Sequence, residues 1–242
     1  MSDSNESGAD DSATDGANDS PKSKAELKAE ALIRRQKRNL RKAHAEGYLA
    51  GVAAMLRPGD LALDLGANMG VVTDILARTG ADVIAFEPDP WAFGKLTDRF
   101  ADAPNVTLVN AAVGIGTGTV RLMRAQNFDD NPHGASVKST ILDGGRQIDA
   151  ANAVDVPLID FPAFLTEKLA DRPEIAFIKM DIEGAELDIL ETLDAQSFFD
   201  RIRVLVAETH ERKFRDLRPR FRALRQTFKE KYDPNRVSLD WI

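Results

Sequence analysis

Leu61-Ala-Leu-Asp64-Leu-Gly66-Ala67-Asn68-Met69-Gly70 is the stretch on which the reading of this 242-residue chain turns. An apolar run short enough for a buried strand enters a glycine-containing turn, and a helical pattern follows. Gly66 and Gly70 carry no Cβ, so the backbone turns sharply there and can approach a ligand, while the free amides of the next helix point at it. The spacing is Gly-x-x-x-Gly, not the Gly-x-Gly-x-x-Gly of dinucleotide binders, and Asp64 precedes the first glycine. An anionic pyrophosphate would meet that carboxylate badly. A sulfonium or ammonium would meet it well.

Outward from this turn comes Val83-Ile-Ala-Phe-Glu87-Pro88, which ends a second strand on a carboxylate 17 residues after Gly70. Two carboxylate oxygens at that place can accept both hydroxyl protons of a ribose, which indicates adenosine. Further short apolar runs at Val106–Val109, Ile175–Asp181 and Val204–Glu208 alternate with helical patterns at Gly70–Arg78, Pro90–Phe100, Ala185–Leu193 and roughly Arg215–Tyr232. Strands alternating with helices predict a mostly parallel, doubly wound α/β sheet. A helix over Tyr48–Leu56 leads into it through Pro58-Gly59-Asp60.

Between Ala112 and Pro173 the alternation breaks. Strand-like runs at Thr119–Met123 and Val154–Ile159 flank a polar segment, Asn127–Asp149, too long for an ordinary connection. An inserted hairpin and loop at about 114–160, covering a site and setting substrate selectivity, is the expectation. After Tyr232 only Arg236–Ile242 remains for further strands, so the sheet edge is expected to be incomplete or completed by a second copy of the chain.

With 43% apolar and 29% charged residues, one folded domain plus a tail fits better than two domains. Residues 1–22 offer almost nothing to bury and are expected to be a disordered acidic leader; six acids and no Lys or Arg fall within 1–20. Residues 21–46 reverse the sign, with nine basic and three acidic side chains, and Ser23 with Glu26 matches a capping box at the start of a helix over 23–46. A basic helical arm is predicted, either a solvated face or a contact for a partner, acceptor or membrane surface. The remaining 47–242 carries the net charge of −7, and an acidic body repels phosphates, so nucleic acid is not an expected partner.

The chain has no Cys, which removes disulfides, thiolate nucleophiles and Cys-ligated metals. No run nears the roughly 18 apolar residues of a membrane span, and the start lacks the basic-then-apolar pattern of a secretory signal. A cytoplasmic protein is the expectation.

Downstream, Phe177-Ile-Lys179-Met-Asp181-Ile-Glu183-Gly184-Ala185-Glu186, together with Phe86-Glu87-Pro88 and Asn110-Ala-Ala-Val113, resembles the FkbM-type S-adenosylmethionine-dependent methyltransferases. The resemblance covers roughly 56–210 and implies a Rossmann-like class I methyltransferase fold. It also implies cofactor contacts from Asp64, Gly66, Ala67, Asn68 and Gly70 around the methionine end. Glu87 would hold the ribose, and Asn110 and Ala111 would border the adenine. Asp181 and Glu183 would then lie where cofactor and acceptor meet, at the carboxyl end of the fourth strand.

Methyl transfer to a hydroxyl needs alignment and a proton acceptor. Asp181, Glu183 and His210, of Glu208-Thr-His210, are the candidates, His210 slightly favoured for its ordinary pKa; the bland alternative is a histidine hydrogen-bonded at a strand end. Lys179 would share one extended face with the two acids, most simply as their counter-charge. No metal-ligand spacing supports a site at Asp181, Glu208 and His210, so no metal is expected.

The Asp-Pro-Pro-Tyr sequence of amino methyltransferases is absent, which favours oxygen over nitrogen. The resemblance implies a hydroxyl on a sugar or secondary metabolite as the acceptor. Two other readings stay open: a nicotinamide-dependent oxidoreductase on a similar sheet, and a non-catalytic adenosylmethionine-binding scaffold.

Overall fold

The computed structural model describes residues 23–136, 139–142, 148–211 and 213–241. The acidic leader expected at 1–22 lies outside them. The chain divides after Leu40 into two units, the first comprising residues up to Leu40 and the second Arg41–Ile242.

The first helix, α1, runs unbroken over Lys24–Met55. Two helices were expected here, parted near Gly47. A helix-interior glycine costs about 1 kcal/mol, and the burial of Ala45 and Leu49 against Leu56, Ala62, Phe177 and Trp241 outweighs it. At the other end Ser23 and Glu26 cap each other as the capping box predicts, Glu26 N to Ser23 Oγ at 3.2 Å and Ser23 N to Glu26 Oε2 at 2.7 Å. Among the described residues no helix is long and apolar enough to cross a membrane.

The second unit builds strands β1 (Leu61–Leu65), β2 (Asp82–Phe86) and β3 (Val106–Val109), with helices α2 (Val71–Ala77) and α3 (Pro90–Arg99) between them. Next come β4 (Ala112–Gly114), β5 (Gly118–Ala125), the single turn α4 (Pro132–Ala135) and β6 (Ile148–Asp160). Then follow α5 (Phe161–Lys168), β7 (Ile175–Met180), α6 (Glu186–Ala195), β8 (Ile202–Ala207), α7 (Arg218–Lys231) and β9 (Val237–Ser238). Among the described residues the main sheet has the order β3-β2-β1-β7-β8-β9, every pairing parallel. The chain winds one way from β1 and the other way from β7. Ligand crevices form at such a reversal, outside the carboxyl ends of the strands.

Side chains alternate across this sheet as a period of two requires. Leu61, Leu63 and Leu65 face a core shared with Phe161, Leu187, Leu190 and Phe221. Ala62, Val83 and Phe177 face the opposite layer, with Leu49 and Leu76.

The expected insertion is a second sheet of order β4-β6-β5, with β5 and β6 antiparallel and a register shift between Met123 and Arg124. Two of its elements were not anticipated. The three residues of β4 are too few to show a pattern. The start of α5 is signalled by Asp160, whose Oδ1 accepts from Ala163 N at 2.9 Å, and by a proline in the first turn. At the far edge, two-residue β9 pairs parallel to β8, which accords with room for one short strand.

Candidate active site

The β1–α2 turn is held mostly by its own backbone. Gly66 and Ala67 amides both donate to the Phe86 carbonyl, and Gly70 N donates to Ala67 O. Gly66 has φ +77°, and a Cβ there would run into the backbone carbonyl of Asp181. The loops after β1 and β7 therefore close on each other, so glycine serves this contact as well as any ligand. A Cβ at Gly70, φ +79°, would strike Leu96 and Phe100 of the α3 region.

Asp64 is fully buried under the turn and does not face the cavity. Its Oδ2 accepts from Thr73 Oγ1 at 2.6 Å, and its Oδ1 lies 3.4 Å from Lys179 Nζ. Lys179 also donates to the carbonyls of Gly66 at 2.7 Å and Leu65 at 3.3 Å. Burial would lower its pKa, but the charges of Asp64 and Asp181 outweigh that and raise it, so Lys179 is a buried cation bracing the turn.

Glu87, at the end of β2, is 5% exposed. Oε2 accepts from Asn68 N and Oε1 from Asp89 N, each at 2.8 Å. Burial pushes its carboxyl up to about 7, against the opposing pull of the two amides. Asn68, itself at φ +48°, reaches across with Nδ2 to Ser136 Oγ at 3.0 Å and ties the turn to the insertion. Asn110 Nδ2 donates to the carbonyls of Glu87 and Pro88, at 2.8 and 3.2 Å. Asp89 caps α3 and takes a bidentate Arg124 from β5, at 2.8 and 3.1 Å.

Beyond β7 the chain leaves extended geometry, with Glu183 at φ +59° and Gly184 at φ +121°. Lys179, Asp181 and Glu183 therefore do not share one strand face as expected; Lys179 turns beneath Gly66 while the two acids line the cavity. Fully buried Glu186 holds the loop: Oε1 accepts from Ile182 N and Oε2 from Gly184 N, both at 2.9 Å.

His210 is 5% exposed, and its Nδ1 lies 3.0 Å from Glu186 Oε1. Its Nε2 is 3.4 Å from Glu183, 3.8 Å from Asp181 and 3.8 Å from Glu208. Burial opposes the charged ring, yet the hydrogen bond to Glu186 and the charges of Glu186 and Glu183 raise its pKa to about 9. The ordinary titration expected of His210 is thereby corrected. At neutral pH it is a cation without a free lone pair for a proton. Burial raises Glu183 as well, and burial with the Asp181 charge raises Glu208 to about 7. Lys213 makes an ion pair with Glu183. Donor atoms of Asp181, Glu183 and His210 lie within 4.8 Å of one another, a grouping that could hold a metal ion.

One cavity joins these parts. Gly66, Asn68, Glu87, Ala111, Asp181 and Glu183 line it, and Asp64, Ala67, Gly70, Asn110 and His210 do not. Leu122, Ser136, Ser139 and Ile141 of the insertion complete the wall. Sequence reasoning assigned no role to Glu186, Ser136, Ser139 or Lys213. For Glu186 a signal existed, since an acid two residues after a glycine can collect the amides of a tight turn.

A doubly wound α/β protein with a buried, amide-bonded carboxylate at the end of β2 and two further acids lining the same cavity is thus defined. The chain belongs to the FkbM methyltransferase family, whose model, described as the methyltransferase FkbM domain, matches residues 64–233. It is 29% identical to the 31-O-demethyl-FK506 methyltransferase FkbM of Streptomyces tacrolimicus, over 64% of this chain and 67% of that protein. It is 24% identical to the hexuronic acid methyltransferase AglP of Haloferax volcanii, over 62% of this chain and 56% of that one. A probable ribosomal RNA small subunit methyltransferase A of Methanosarcina mazei is 43% identical, over 26% of this chain and 24% of its own length.

Proposed function

We propose that the protein transfers the methyl group of S-adenosylmethionine to a hydroxyl oxygen of a sugar or secondary metabolite. The observation that carries this is the cavity itself, lined by an amide-fixed, buried Glu87 together with Asp181 and Glu183. Two features fit a nucleoside ligand. Each Glu87 oxygen takes one amide and keeps a lone pair for a ribose hydroxyl. Among the described residues the buried Ser139 hydroxyl in the cavity wall has no partner, as expected of a group awaiting a ligand.

When bound, S-adenosylmethionine supplies a methyl carbon activated by a sulfonium. Everything else falls to the chain. Glu87 orients the ribose, and the closed Gly66–Asp181 contact fixes the distance between the cofactor turn and the acceptor loop. Glu183 accepts the hydroxyl proton: burial makes it more basic than an ordinary carboxylate, and protonated His210 and Lys213 hold it in place. Asp181 favours the sulfonium by charge.

The FkbM and AglP relatives are named for 31-O-demethyl-FK506 and a hexuronic acid, which supports a small-molecule acceptor, and they match over half of this chain. The ribosomal RNA relatives match about a quarter of it. Titration with S-adenosylhomocysteine and with NAD tests the cofactor, and turnover on sugars, macrolide alcohols and ribosomal RNA tests the acceptor. Binding of NAD without the homocysteine nucleoside, or methyl transfer to RNA alone, would overturn the proposal.

A further inference from the structure

In residues 24–40 of α1 the side chains sort by face. At about 100° per residue, Ala25, Ala29, Leu32, Ile33 and Leu40 fall in one arc, with Gln36 as its polar member. Lys24, Lys28, Arg34, Arg35, Lys37 and Arg38 dominate the rest of the circumference, which also holds Glu26, Leu27, Glu30, Ala31 and Asn39. Leu32, Ile33 and Leu40 are 64%, 52% and 63% exposed. Asn39 and then Lys28 and Arg35 border the apolar arc on one side, Glu26 and then Lys37 on the other. The acids are engaged locally, Glu26 in the capping box and Glu30 3.5 Å from Arg34.

We propose that this segment lies on an anionic phospholipid surface, its apolar arc at the headgroup boundary and its basic margins on the phosphates. Three occupants compete for such a face. A nucleic acid would use the basic arc and leave three large aliphatic side chains in water. A second copy of the helix, seam to seam, would bring Lys28, Arg35 and Lys37 against like charges on both margins. An anionic bilayer takes the apolar arc and the charges together. Because alanines make up much of the arc, insertion is shallow and binding depends on charge.

The test uses the full chain and flotation with vesicles of phosphatidylcholine alone or mixed equally with phosphatidylglycerol. Binding to the mixed vesicles should be at least about tenfold tighter and weaken as salt is raised. The combined variant Leu32→Ser, Ile33→Ser and Leu40→Ser keeps every charge and should lose about tenfold in affinity. Arg35→Gln with Lys37→Gln and Arg38→Gln should lose at least as much. Both should bind S-adenosylhomocysteine as the unaltered chain does, showing an intact second unit. Equal binding to both vesicle types, or unchanged binding by the serine variant, overturns the proposal. So does self-association without vesicles that the serine substitutions abolish, or tighter binding to duplex RNA than to the mixed vesicles at the same salt.

Discussion

At Glu87 a single proton separates two states of the cavity. The carboxyl titrates near 7, and ribose hydroxyls donate only to lone pairs that the charged form offers in full. Affinity for S-adenosylhomocysteine should therefore climb as pH rises toward 7 and level off above it, read by calorimetry. Glu87→Gln should lower affinity about 10–100-fold and flatten that dependence. In the same cavity, Glu183→Gln should cut turnover by about 10²–10⁴ with cofactor affinity nearly unchanged. His210→Gln removes a cation from among four carboxylates. Glu183 and Glu208 lose the charge that holds their pKa values down, so the acidic limb of the pH–rate profile should move to higher pH. The acids at 87, 181 and 183 were legible because strand ends display them. The state of His210 was not, since it depends on Glu186 reaching the ring from the next helix.

Among the elements, the insertion shows how a long polar segment becomes a wall. Arg124 of β5 reaches the buried Asp89 carboxylate with two hydrogen bonds, and Asp89 in turn caps α3 and presents the amide that fixes Glu87. Arg124→Met would strand a buried charge. The expected loss is about 3–5 kcal/mol of stability, seen in urea denaturation, with weaker S-adenosylhomocysteine binding in the fraction that folds. None of this pairing is visible in sequence, where Arg124 and Asp89 stand 35 residues apart. The central strands were legible for the opposite reason: β1, β2, β3, β7 and β8 are short apolar runs between turn residues, and the parallel order follows from the helices between them. β4 escaped notice because three residues carry no period. The bend after Met180 was missed because an acid at positive φ leaves no mark in an apolar–polar pattern.

Across the whole molecule, protonation favours the folded state in an unusual direction. His210 titrates near 9 when folded against an ordinary 6.5, so its contribution is complete below 6.5 and disappears as pH rises through 9. Glu87 behaves alike at lower pH, its share complete below 4.5 and lost as pH rises through 7. Stability of the ligand-free protein should decline from pH 6 toward 9, with His210 contributing on the order of 2–3 kcal/mol. His210→Gln should flatten the upper part of that slope in urea midpoints taken at each pH.

The small sheet of β4, β5 and β6 keeps a cluster of its own around Ala112, Leu122 and Val156. It is joined to the rest of the unit by the Arg124–Asp89, Asn68–Ser136 and Thr140–Glu183 hydrogen bonds and by Val113 and Ile159 at the main core. A transplanted segment has to carry those joints with it. Lineages could then drift toward new acceptors by rewriting the remainder, and chimeras exchanging 118–160 between relatives are the place to watch that happen.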